Sequence, residues 1–191
     1  MIDRLPPRPG EPVRSRLSID AIIALLAGVG VVVGSLLQWV KGPSSEVAFQ
    51  GGTVEGSLEG LKTVYGVVAL VGGVLVVLSA FTWLIRRHAS RVTSSVVLIG
   101  GAASAIVAGF YLATLESRYI DFAVNQAASP RLPAAKIRDL LSRAFKADIY
   151  TIDAGVGLYM VLAAGVIAVL IGLVTLVRGP QSAHRRTLNS R

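Results

Sequence analysis

The sequence predicts an all-α integral membrane protein, a four-transmembrane-helix antiparallel bundle with a small extracytoplasmic cap. Two observations predict this fold. Only 16% of the 191 residues are charged, whereas about a quarter of the residues of a soluble domain are charged. The chain also contains four apolar runs of 22–24 residues without Lys or Arg, at 19–40, 63–85, 92–115 and 154–177.

The length of each run matches the thickness of a lipid bilayer. A helix rises about 1.5 Å per residue, so each run gives roughly 33–36 Å, enough to cross a hydrocarbon core of about 30 Å. The first run exceeds the apolar core of a signal peptide, so we expect it to remain as a membrane span.

The distribution of arginine predicts that both termini lie in the cytoplasm. The turn 86–91 contains three Arg in six residues, whereas the only basic residues of the 22-residue segment 41–62 are Lys41 and Lys62. Short cytoplasmic segments carry the excess of basic residues. We therefore expect 41–62 and 116–153 to lie outside, and the basic tails 1–18 and 178–191 to be disordered in the cytoplasm. The composition is typical of a GC-rich bacterium, so the expected location is the bacterial plasma membrane.

Small residues at intervals of four are frequent in the spans. They let helix backbones approach closely where lipid provides no hydrophobic drive for association. The sequence predicts packing inside the bundle, with homodimerisation as the alternative, through Gly30, Gly34, Gly73, Gly101, Ala105, Gly109, Ala164, Ala168 and Gly172.

Four aromatic residues lie near the ends of the spans. Trp and Tyr are enriched at both membrane–water interfaces, where their amphipathic rings lie at headgroup level. Trp39, Trp83, Tyr65 and Tyr159 are therefore predicted to be interfacial anchors.

The first outer segment, 41–62, predicts a short β-hairpin. The sequences EVAF and TVE flank QGG, and glycine-containing turns between alternating residues are typical of hairpins. The alternating stretch 149–152 is expected to add a third strand.

The second outer segment contains the one stretch, 135–148, that is typical of a soluble amphipathic helix. Five residues repeat at helical spacing on one apolar face, and charged residues occupy the rest. We expect 116–128 to prolong the third span, so that the two helices form a hairpin. Three roles are open for the apolar face of this helix. It lies on the membrane interface or caps its own bundle, it docks a partner protein, or it forms a lid over a substrate. Its residues are Ile137, Leu140, Leu141, Ala144 and Phe145.

The sequence offers no residues for catalysis, cofactor binding or metal binding. It has no Cys, and both histidines, His88 and His184, lie in predicted cytoplasmic segments. No zinc-protease, nucleophile-elbow or phosphate-loop motif occurs, and the middle of each span lacks the ionisable groups that ion transport normally requires. We therefore expect a protein that is not an enzyme, and the basic residues flank spans rather than forming a nucleic-acid surface.

The expected function is that of an accessory or assembly subunit, which binds another membrane protein or a second copy of itself through its outer loops. One alternative is an oligomeric, holin-like pore of host or phage origin, lined by serine and threonine. Another is a carrier of lipid or of a small molecule, with the outer helical hairpin as its lid.

The chain resembles small four-span membrane proteins of actinobacteria, in particular tryptophan-associated transmembrane proteins. The resemblance rests on Trp39-Val40 at the end of the first span, a glycine-rich outer loop, a Gly/Tyr entry to the second span and AGVGLYMVLAAGVIAVLIG in the last. It implies a membrane location and no particular activity. An outer sheet above four spans is also claudin-like in shape, without the claudin loop cysteines.

Overall fold

The computed structural model describes residues 16–42, 57–86, 89–127, 133–147 and 152–178. Six helices and three short strands follow one another along the chain. In order they are α1 (Arg16–Leu36), β1 (Gln38–Lys41), β2 (Ser57–Glu59), α2 (Val64–Arg86), α3 (Arg91–Ala113), α4 (Leu115–Ala127), α5 (Ala134–Lys146), β3 (Asp153–Ala154) and α6 (Val156–Arg178).

Four of the helices confirm the predicted spans. Helices α1, α2, α3 and α6 are each long and apolar enough to cross a membrane. They form a four-helix bundle in which α1 packs on α2, α2 on α3, α3 on α6 and α6 back on α1. The chain is therefore a multi-pass membrane protein with the predicted bundle.

The outer surface of the bundle is apolar, as lipid requires. Large side chains such as Leu26, Val71, Ile99, Ile106 and Leu170 are at least half exposed on the outside of the helices. A continuous apolar surface of this kind would promote aggregation in water, whereas it costs nothing against acyl chains.

A sheet and a helical hairpin lie together at one end of the bundle, which we call the cap end. The connection between α2 and α3 lies at the opposite end, called the turn end. Helix α4 follows α3 after a break at Thr114, whose N–H donates to the carbonyls of Phe110 and Tyr111. Helix α5 then packs back on α4, so the predicted helical hairpin is present.

A three-stranded sheet is present, as predicted, but its strands are formed by different residues from those predicted. Strand β1 is central, with β2 and β3 antiparallel on its two sides. Its residues Gln38–Lys41 were expected to end the first span or begin the loop. The predicted hairpin segments 46–49 and 53–55 lie outside the described residues, as do residues 149–151 of the predicted third strand. Strand β3, Asp153–Ala154, begins directly after residue 152, where the predicted strand ends.

Two apolar cores hold the molecule together. The core near the turn end consists mainly of small residues, among them Ala24 and Ala80, packed around Trp83. The core near the cap end is continuous from Ala69 and Val161 in the bundle to Ile137 and Leu141 in α5. The cap and the bundle therefore share one core and form one packed unit.

Candidate functional site

The apolar face of α5 packs inside the protein. Ile137 is fully buried and Leu141 is 7% exposed, and both belong to the core that also contains Tyr119 and Ile120 of α4. Neither residue is available to a partner. Of the three interpretations drawn from the sequence, the one in which this helix caps its own bundle fits the observed packing.

The remaining predicted contact residues are more accessible. Ala144 and Phe145 are half-buried, and the Phe145 ring meets the Tyr119 ring edge to face, with centroids 6.2 Å apart. Leu140 alone among the five is exposed, at 42%. The predicted partner surface is thus reduced to the outer side of α5.

One surface ion pair links α5 to α4, and a second lies within α5. Arg138 pairs with Asp121 across the two helices, and Arg143 pairs with Asp139 one turn away on α5. All four side chains are largely solvent-exposed, so each pair contributes little to stability, about 0.2–1 kcal/mol. Only the Arg138–Asp121 pair bears on the orientation of α5, while apolar burial holds the helix in place.

An exposed stripe follows the outer side of α5. Lys136, Leu140, Arg143 and Ala147 recur at intervals of three or four residues, and all four are exposed. We call this set the α5 stripe. It presents one large apolar side chain between two basic ones, the arrangement of an apolar centre with a polar rim.

The side chain and backbone of Trp39 connect the sheet to α1, to α3 and to the residue that precedes α6. Trp39 is fully buried, its Nε1 donates to the carbonyl of Gly34 at 3.0 Å, and its ring meets Tyr111 of α3 at 5.3 Å. Its carbonyl accepts a hydrogen bond from Gly155 N, just before α6. A Cβ atom on Gly60 would overlap the Nε1 atom of this ring, so only glycine fits beneath it.

The predicted anchors therefore need correction for both tryptophans. An interfacial anchor presents its ring to headgroups, yet Trp39 and Trp83 are 0% and 2% exposed. Trp83 Nε1 donates to Thr93 Oγ1 at 2.6 Å, which satisfies the indole inside the protein. Tyr159 is 54% exposed, as an anchor should be, and Tyr65 is half-buried.

Arg118, which the sequence analysis did not single out, lies over an aromatic pair at the cap end. Its guanidinium carbon is 4.9 Å from the centroid of the Tyr65 ring and 5.8 Å from that of Phe110, within cation–π range. Tyr65 belongs to the first turn of α2 and Phe110 to the last turn of α3, and their centroids are 6.1 Å apart. The sequence feature that could have indicated this contact is an arginine in the first turn after a span that ends in aromatic residues.

An apolar groove runs between α2 and α3 on the outside of the bundle, with a volume of about 370 Å³. Val67, Val71 and Leu75 line it on α2, and Ile99 and Ala103 line it on α3. Gly72 and Gly100 bring the two backbones together, because a Cβ on Gly72 would lie 2.8 Å from the Gly100 carbonyl oxygen. The close contact of the helices leaves the valine and isoleucine side chains as the walls of the groove.

The predicted small residues lie in helix–helix contacts within the chain. A Cβ on Gly34 would meet Gly157 and Val161 of α6, and one on Gly73 would meet Val31 of α1. The contacts of α3 with α6 are equally close, whereas Gly109 has only Leu162 nearby, at 3.9 Å. The members of this set in those contacts are Gly30, Gly34, Gly73, Gly101, Ala105, Ala164, Ala168 and Gly172.

Buried hydroxyl groups in the spans bond mainly to the backbone of their own helices. Ser35 donates to the carbonyl of Val31, Ser104 to that of Gly100, and Thr175 to that of Ile171. Within the described ranges, no group of three or more His, Cys, Asp or Glu residues could hold a metal ion. His88 and His184 lie outside those ranges.

No protein-family model, no curated protein and no solved structure matches the chain. The resemblance to tryptophan-associated transmembrane proteins stays a prediction.

Proposed function

We propose that this protein is an accessory or assembly subunit of the bacterial plasma membrane, which binds another membrane protein through the outer side of its cap. The observation that carries the proposal is the α5 stripe. A packed core and a cross-helix ion pair hold α5 on the bundle, and one exposed leucine remains between basic side chains.

The physical support is preorganisation. A helix that is already folded and fixed loses little conformational freedom when it binds, so more of the contact energy appears as affinity. Because the core of the cap is continuous with that of the bundle, the stripe has a fixed position above the membrane. Arg143 is already paired with Asp139, so the charge of Lys136, one turn before Leu140, is what favours a partner with an acidic surface.

The pore alternative has weaker support. A water-filled lumen requires hydroxyl groups that are free to face water, whereas the buried hydroxyls of Ser35, Ser104 and Thr175 donate to backbone carbonyls. The outward side chains of the four spans are predominantly apolar, so association of several copies would bring mainly apolar surfaces together.

Co-purification tests the proposal. Full-length protein extracted from its native membrane in mild detergent is expected to retain a stoichiometric membrane partner, and Leu140→Asp should remove that partner while the protein stays folded. A matched control is Leu61→Asp, which makes the same change at a leucine of equal exposure, 42%, outside the stripe. Recovery of wild-type protein without any partner, or unchanged recovery with Leu140→Asp, would contradict the proposal.

A further inference from the structure

We propose that the cap end of the α2–α3 groove is a binding site for one phospholipid with an anionic headgroup, whose phosphate binds Arg118 and whose acyl chain occupies the groove. The site goes beyond the proposed function and involves none of the residues of the α5 stripe. It joins two observations, an unpaired cation at headgroup level and an apolar channel that begins beneath it.

The cation is held in place and lacks a carboxylate partner. Tyr65 and Phe110 fix the guanidinium of Arg118 through their ring faces, and no carboxylate of the part of the chain that the structure describes forms an ion pair with it. Its neighbour Asp121 is already paired with Arg138. Arginine binds phosphate through several donors at once, so a half-buried, unpaired guanidinium at this depth favours an anionic headgroup.

The depth of the groove matches one leaflet. Leu75 lies ten residues after Tyr65 along α2, which corresponds to about 15 Å, half the thickness of a hydrocarbon core of about 30 Å. On α3, Ile99 lies eleven residues before Phe110, or about 16 Å. An acyl chain that begins at the level of Arg118 would therefore end near the far part of the groove.

The chemistry of the groove fits an acyl chain better than a protein segment. Its lining is apolar throughout, without a hydrogen-bonding group for a backbone. A transmembrane helix is about 10 Å wide, too wide to enter between two helices whose backbones are in contact at Gly72 and Gly100, whereas a single hydrocarbon chain is narrow enough. The volume of about 370 Å³ also lies within the range of small-ligand sites.

Native mass spectrometry of the full-length protein tests the site. The protein in mild detergent is titrated with phosphatidylglycerol or with phosphatidylcholine that carries identical acyl chains. Both lipids carry a phosphate, but the quaternary ammonium of choline repels the Arg118 guanidinium. We therefore expect the wild type to bind phosphatidylglycerol about tenfold more tightly. Arg118→Gln should bring the two affinities to within about twofold, and Arg118→Lys should give an intermediate preference, because lysine keeps the charge but not the several donors of arginine.

Two further variants separate the headgroup from the acyl chain. Ala103→Leu fills the groove and should weaken both lipids equally, leaving their ratio unchanged. Arg143→Gln removes an exposed arginine elsewhere on the cap and should change neither affinity. If Arg118→Gln misfolds, as judged by its thermal melt, Arg118→Lys and Ala103→Leu still decide the outcome.

Three results would overturn the proposal. These are equal wild-type affinities for the two lipids, a preference that persists in Arg118→Gln, or affinities that Ala103→Leu leaves unchanged. Loss of a co-purified partner protein in Ala103→Leu, with lipid affinity intact, would show that the groove binds protein. Because Leu140→Asp lies on a different surface, failure of this site and failure of the partner proposal are distinguishable.

Discussion

The indole ring of Trp39 meets the phenol ring of Tyr111 edge to face, with centroids 5.3 Å apart at an interplanar angle of 75°. This contact joins the central strand of the sheet at the cap end to the last turn of the third span. The two residues are 72 positions apart in the chain, so their contact fixes how the sheet is seated on the bundle.

Removal of the Trp39 side chain should destabilise the protein strongly. Trp39→Ala opens a large cavity at the junction of sheet and bundle, and truncations of buried tryptophan typically cost about 3–5 kcal/mol. Trp39→Phe keeps most of the apolar volume and loses the hydrogen bond to Gly34, so its effect should be smaller. Thermal unfolding in detergent measures both, and equal melting temperatures for wild type and Trp39→Ala would refute the structural role of the ring.

Gly60 should tolerate no side chain. Gly60→Ala forces the new methyl group against the Trp39 indole and the Ser35 carbonyl, so the ring must move. We expect a shift in tryptophan fluorescence and a lower melting temperature. Gly109→Ala is the matched control, because its methyl group would have only Leu162 nearby, at 3.9 Å, and its properties should match those of the wild type.

Two adjacent leucines on α5 should respond differently to the same substitution. Leu141→Asp places a carboxylate in the core shared by cap and bundle, which is expected to cost several kcal/mol and to open the cap. Leu140→Asp places it at an exposed position and should leave the fold intact. Limited proteolysis of α5 distinguishes them, and equal protease resistance of the two variants would contradict the assigned burial.

Ser90 should stabilise the start of α3 through a reciprocal cap. Its hydroxyl accepts from Thr93 N at 3.1 Å, and Thr93 Oγ1 accepts from Ser90 N. Ser90→Ala removes half of this capping box and should cost about 0.5–2 kcal/mol. Thr93→Val should cost more, because it also deprives the Trp83 indole of its acceptor. Chemical or thermal unfolding compares the stabilities of the two variants. A Thr93→Val variant that is more stable than Ser90→Ala would contradict the assigned hydrogen bonds.

The spans and the helical hairpin of α4 and α5 could be predicted from the sequence because each is encoded locally. A run of about 20 or more apolar residues is stable in a lipid bilayer as a helix. The spacing of Ile137, Leu141 and Phe145 gives α5 one apolar face. The sequence could not show whether that face meets a partner or α4, since this depends on Tyr119 and Ile120 lying opposite it.

The strand at Gln38–Lys41 and the site of Arg118 depend on contacts between distant segments. Hydropathy makes Trp39-Val40 look like the end of a span, and only pairing with Leu58 and Ala154 reveals a strand. Arg118 stands over Tyr65, which precedes it by 53 residues. Such contacts follow from how the helices pack, which the apolar pattern of four similar spans does not specify.

The most direct test of the account is the accessibility of single cysteines, since the chain contains none of its own. Ala135→Cys lies on the cap outside the α5 stripe and Arg91→Cys at the turn end, both at exposed positions. In intact cells, a membrane-impermeant maleimide should label Ala135→Cys at once and Arg91→Cys only after the membrane is permeabilised. Labelling of Arg91→Cys in intact cells, with Ala135→Cys protected or labelled equally, would contradict the four-span arrangement with its cap outside.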